Sequence, residues 1–144
     1  MRALVAVIAV WCSGGLAAEH KIECPKEIKR DTIQITRAPT GWTPFYLYEY
    51  EPGLPLNGAG LMWGPPSSIA MAKPNWSGKV AGKDTVKWTE LGGKESGEKW
   101  FACYYGDHGQ NDAILSKQLD ASVTECTVTY PKARGGDLEV TCKW

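Results

Sequence analysis

Lys99-Trp100-Phe101-Ala102-Cys103-Tyr104-Tyr105 decides the fold. Aromatic residues dominate it and it holds a cysteine, which is the composition of a strand. Downstream, Ser122-Val123-Thr124-Glu125-Cys126-Thr127-Val128-Thr129-Tyr130 alternates polar with apolar and places Val123, Cys126 and Val128 as its buried set. Leu138 to Cys142 predicts a closing strand, and Lys132-Ala133-Arg134-Gly135-Gly136-Asp137 between them can turn only as a hairpin.

Upstream the same reading gives strands over Thr32–Thr36, Phe45–Tyr50, Leu56–Trp63 and Thr85–Thr89. Phe45 to Tyr50 is apolar or aromatic on both faces except at Glu49, so it is either central or displays an aromatic face. Gly58 and Gly60 suggest a bulge or a close backbone approach. Pro52-Gly53, Asn57-Gly58, Gly64-Pro65-Pro66 and Gly92-Gly93 punctuate the runs. One short helix is expected in Asn111–Leu119, where Ile114, Leu115 and Leu119 share a helical face. The expectation is a mainly β chain: a single antiparallel β-sandwich or partly open barrel with one short helix and two disulfides.

The start of the chain sets the compartment. Met1-Arg2 is positive, Ala3 to Trp11 is apolar, Ser13 to Ala18 is small and turn-prone, and Glu19 begins polar sequence. That order reads as a signal peptide over 1–18, followed by a disulfide-bonded β domain over 19–144. The apolar run is shorter than the ~20 residues a membrane span needs. Cys12 could carry a lipid, but Trp11 stands where lipoprotein signals normally place a small residue. The expected location is the periplasm, with secretion as the alternative.

Losing Cys12 leaves Cys24, Cys103, Cys126 and Cys142. An even set in an exported chain reads as two bridges, and no C-x-x-C spacing favours zinc. If the 99–105 and 122–130 strands lie close, Cys103 bridges Cys126 and Cys24 bridges Cys142; the hairpin alternative joins Cys126 to Cys142. The whole chain has 16 basic and 16 acidic residues, so it has no electrostatic footprint for nucleic acid.

Candidate chemistry is sparse. His108 sits in the polar loop Gly106–Asp112 between Asp107 and Asp112, and Ser67, Ser68 and Ser96 lack a Gly-x-Ser-x-Gly elbow. No catalytic residue, metal site or cofactor is assigned. Trp76, in Lys73-Pro74-Asn75-Trp76-Ser77-Gly78, is the least core-like tryptophan and marks a contact surface. The loops 65–82, 91–98 and 106–112 are the expected contact regions, with Trp76, Ser96, Asp107, His108 and Asp112 as their residues.

Four landmarks recur together: Cys24-Pro25, Pro39-Thr40-Gly41-Trp42, Gly64-Pro65-Pro66 with Ala70 and Pro74, and Trp100–Tyr105 followed by Cys126–Tyr130. In this order they resemble a family of small exported proteins of Gram-negative bacteria, some encoded in or near type VI secretion loci. The resemblance implies the periplasm and a protein that protects the cell from a wall-attacking effector, and it brings no catalytic residues. Ser96-Gly97-Glu98-Lys99-Trp100 also resembles the Ser-Gly-x-x-Tyr loop of periplasmic lysozyme inhibitors, with Trp in place of Tyr. The function expected is binding without catalysis, by an inhibitor or immunity-type protein that occludes a cell-wall-active enzyme or effector. The alternative is a carbohydrate- or peptidoglycan-binding module built on exposed aromatics.

Overall fold

Alternating runs that end in tight turns pair with their neighbours in sequence. A computed structural model of the chain describes residues 17–44, 53–92, 97–107, 110–132 and 136–144. Among these the strands are β1 (Glu19–Lys21), β2 (Glu27–Ile28), β3 (Leu54–Trp63), β4 (Trp76–Val80), β5 (Lys83–Trp88), β6 (Lys99–Tyr105), β7 (Ala113–Gln118), β8 (Glu125–Thr129) and β9 (Glu139–Lys143). One antiparallel sheet has the order β1-β9-β8-β5-β4 and the other β2-β3-β6-β7. Neither closes into a barrel.

Period-two alternation explains the core. Ala59, Leu61, Phe101, Cys103 and Tyr105 from the second sheet meet Trp88, Cys126, Val128, Val140 and Cys142 from the first in one buried cluster. β6 is buried on its other face too, where Ala102 and Tyr104 join Met62 with Trp100 packed against them. The expected irregularity in β3 is real: its register against β6 shifts between Leu56 and Gly58. A Cβ on Gly60 would stand 3.1 Å from the Tyr104 hydroxyl, so the close approach is also present.

Several expectations fail for identifiable reasons. Asn111–Leu119 is not a helix; Ala113–Gln118 is β7, with Ile114 opposite Tyr104 and Leu115 opposite Cys103. The backbone groups along the free edge of β6 are satisfied by a strand and not by a helix, and a nine-residue helix has little stability of its own. Ile114 and Leu115 are both exposed, so no helical face was there to bury. The strand expected at Thr32–Thr36 is absent: a 3-10 turn covers Arg30–Thr32, and the Thr32 hydroxyl donates to the Lys29 carbonyl. That side-chain bond to the backbone closes a turn, and the residues after it find no ladder partner. Conversely, Trp76–Val80 reads as loop but pairs with β5 through a two-residue turn at Ala81-Gly82, both at positive φ.

The bridges are Cys24–Cys103 and Cys126–Cys142. The preferred pairing, Cys103 with Cys126 and Cys24 with Cys142, is therefore incorrect, and the hairpin alternative for Cys126 holds. The reason is topological. Cys103 and Cys126 lie in different sheets, while Cys126 and Cys142 stand directly opposite across β8 and β9. Cys24 follows β1 and ties that segment to β6.

Lys21 pairs with Thr141 and Glu19 with Lys143, so the chain is in the sheet from β1 onward. Ala18 and Trp144 exchange backbone hydrogen bonds, and the His20 ring stacks on Trp144 at 3.7 Å. Residues 1–16 of the signal peptide expected over 1–18, the strand expected at 45–50, Ser96 and His108 lie outside the described residues. No helix among the described residues is long and apolar enough to cross a membrane.

Burial raises the pKa of Tyr104, Tyr105 and Tyr130 above the usual 10.0. Folded tyrosines thus keep protons that the unfolded chain releases. Their contribution is complete below pH 10 and is lost as pH rises through the folded values. In an alkaline titration of the folded protein, these three of the six tyrosines ionise at higher pH than in the unfolded chain. Ionisation of all six at the unfolded chain's pH, with the far-UV circular dichroism intact, would contradict this.

Candidate functional site

The two ends of the sandwich differ in character. At one end, β3 runs out at Trp63, β5 at Trp88, and β6 begins at Lys99. The chain between β3 and β4 folds across this end. Pro65-Pro66 favours a turn because proline presets φ, and Pro66–Ser68 forms a 3-10 turn. The Ser68 hydroxyl lies 2.7 Å from the Pro65 carbonyl and 3.2 Å from that of Trp63, as donor to both. Gly64, at φ 80°, donates its amide to the Glu98 carbonyl at 2.7 Å. After the turn, Met71 forms a bridge with Met62, Trp63 donates its amide to the Ala70 carbonyl, and Ala72 donates to Leu61. The loop is therefore pinned on both sides.

Its crown is apolar. Ile69 is 78% exposed and Met71 61% exposed. Ile69 sits at φ 53°, ψ 25°. A β-branched residue is rarely found in that left-handed region. Trp76 lies on the same end: the Trp88 indole donates to the Ala72 carbonyl, and Trp76 is opposite Lys87. Trp76 is 42% exposed as expected, but on an edge strand and not in a loop. The Lys87 ammonium lies 5.4 Å from its ring centroid.

Underneath is a buried cation. Lys99 is 3% exposed, and its ammonium donates to the carbonyls of Leu91, Ala121 and Val123 at 2.7–3.0 Å. Desolvation lowers its pKa, and Asp120 partly opposes that. The lysine joins the chain before β6 to the chain after β7. Its neighbour Glu98 accepts from Gly64, so the exposed loop rests on this joint. Lys99 and Trp100 thus open β6, and among the described residues of the Ser96–Trp100 motif Glu98 bonds the crowned loop.

Asp107 and Asp112 lie at the opposite end, after β6, and do not share a surface with Trp76. Asp107 comes within 3.7 Å of Arg30, and its carbonyl accepts from the Gln110 amide. The Asp112 amide donates to the Tyr105 carbonyl, which holds the loop on the strand. An open groove of about 1310 Å³ lies there, with Pro25, Leu56, Tyr130 and Leu138 in its walls. Its Lys26 and Asp137 pair at 2.9 Å, and the hydrogen bond between them raises the lysine pKa and lowers the aspartate's. Among the described residues no cluster of His, Cys, Asp and Glu could hold a metal.

Sequence reasoning singled out Trp76 and the 65–82 region, and within that region it did not single out the exposed Ile69 and Met71. The available signal was an isoleucine directly after Gly-Pro-Pro-Ser-Ser, where a turn must end. No curated protein and no solved structure matches the chain. The family model described as type VI secretion system Tli immunity protein matches residues 50–143, a range that runs from before β3 to the end of β9 and includes the crowned loop, Trp76 and Lys99. The chain belongs to the type VI secretion system Tli immunity protein family.

Proposed function

We propose that the chain is a periplasmic immunity protein that neutralises a wall-active type VI effector by covering it, without chemistry of its own. The observation that carries this reading is the family match across both sheets. Three others support it. The sequence opens with a leader-like segment. All four cysteines after that segment are bridged, so none offers a thiolate nucleophile. The 64–72 loop is pinned before any partner arrives, so little ordering entropy is lost on docking. Saccharide binding is not favoured by this family.

The test is protection. Bacteria that receive a wall-active effector in the periplasm survive when the full chain is present, and lyse when it starts at Glu19 and stays in the cytosol. Purified chain and effector elute as one complex, and hydrolysis of purified wall material stops. Lysis despite periplasmic chain, with no complex for any effector supplied, overturns the reading.

A further inference from the structure

We infer that the 64–72 loop is the anchor of the immunity contact, inserting Ile69 and Met71 into an apolar, uncharged pocket on the effector protein. This rests on the immunity reading and adds which surface is used and what it fits.

Exposed apolar side chains are common singly and prove little. Ile69 differs because its backbone is also disfavoured. Glycine or asparagine occupies the left-handed region with far less strain than a β-branched residue. Neither packing nor backbone preference accounts for isoleucine here, since the side chain stands in solvent. Strain of this kind persists only where surrounding structure enforces it, and it gathers at binding sites. The enforcing structure is the set of bonds from Ser68 to Pro65 and Trp63, from Ile69 to Pro66 and from Gly64 to Glu98. The knob is therefore rigid as well as apolar, the combination that makes an interface anchor.

The partner's chemistry follows from what the loop lacks. Gly64-Pro65-Pro66-Ser67-Ser68-Ile69-Ala70-Met71-Ala72 contains no charge. It offers no cation for phosphate or an anionic membrane and no planar ring for a sugar. A concave apolar patch on a protein is the surface it complements. Trp76, with Lys87 beside its ring, stands at the same end as an amphipathic rim.

The experiment uses the full chain and the effector that it neutralises in the protection assay. Ile69→Gly removes the side chain and suits the backbone. It melts at the same temperature as the parent or higher, while affinity for the effector falls roughly 10- to 100-fold, as expected for one buried aliphatic anchor. Met71→Ser weakens binding in the same direction. Ile114→Ser, on the exposed edge strand β7 away from this loop, leaves affinity unchanged. If the parent binds and Ile69→Gly binds equally well, the anchor is wrong and the immunity reading stands. Failure of the parent to bind any effector fells the immunity reading and the anchor with it. If Ile69→Gly instead lowers the melting temperature, the residue is structural and the inference is overturned. Parent binding to neutral phosphatidylcholine vesicles that Ile69→Gly abolishes would make the knob a membrane device and overturn it as well.

Discussion

Replacing Cys24 and Cys103 together by alanine destabilises the domain by about 4.5 kcal/mol, the chain-entropy value for a loop of that length, because their bridge closes a separation of 79 residues. A small domain has a total stability of about 5–15 kcal/mol, so this change removes about a third of it or more. The same treatment of Cys126 and Cys142, which close only 16 residues, costs about 3 kcal/mol. The strands that the shorter bridge joins are already held by five register pairs from Glu125–Lys143 to Thr129–Glu139. The longer bridge is different in kind: it fastens the segment after β1, a strand of the first sheet, to β6 in the second. Alanine is the right replacement because Cys103 is buried and a serine hydroxyl would add a desolvation cost. Urea denaturation of both double variants measures the difference. Equal midpoints, or a larger loss for Cys126 and Cys142, would show that loop closure does not govern this fold.

The strands that survived from sequence to structure are those whose pattern and pairing agree. Leu56–Trp63, Thr85–Thr89, Lys99–Tyr105, Ser122–Tyr130 and Leu138–Cys142 all overlap observed strands. All but Leu56–Trp63 are rich in β-forming residues, and each has a neighbour that completes its ladder. Thr32–Thr36 had the pattern without the neighbour. β4 had the neighbour without the pattern, because Ser77 and Gly78 hide it and the tight turn at Ala81-Gly82 lacks the usual asparagine or aspartate. Pairing order is a global property, and the disulfide assignment failed with it: two inward cysteines on strong strands look like partners until the strands are assigned to sheets. The candidate contact residues divided the same way. Trp76 was legible because a tryptophan among Pro, Asn, Ser and Gly is out of place in a core. Asp107 and Asp112 are legible only as polar residues, and they stand at the other end, where Asp107 approaches Arg30 and both make loop backbone bonds. The exposure of Ile69 was not legible because apolar identity alone predicts burial, and only the structure shows otherwise.

Lys99→Met costs about 3 kcal/mol, on the basis of about 1–3 kcal/mol for a buried carbonyl whose donor is removed. Methionine preserves most of the apolar stem, so the loss is not a cavity effect. It arises because the carbonyls of Leu91, Ala121 and Val123 lose their common donor, and the bonds to Leu91 and Val123 are buried. A pH comparison separates this account from simple mispacking. Desolvation holds the folded-state pKa of Lys99 below the ordinary 10.5. Between the two values the unfolded chain binds more protons, so the lysine's contribution grows as pH rises through that window, opposite in sign to the tyrosines. Methionine has no proton to lose, and the tyrosine contribution is common to both proteins. The stability gap between parent and Lys99→Met therefore widens from neutral pH to about pH 10. Denaturation of both proteins at the two pH values reads it directly, and a constant gap would mean that the ammonium carries no desolvation burden. The same variant weakens effector binding beyond what its unfolded fraction explains, because Glu98, the neighbour of Lys99, holds Gly64 at the root of the exposed loop.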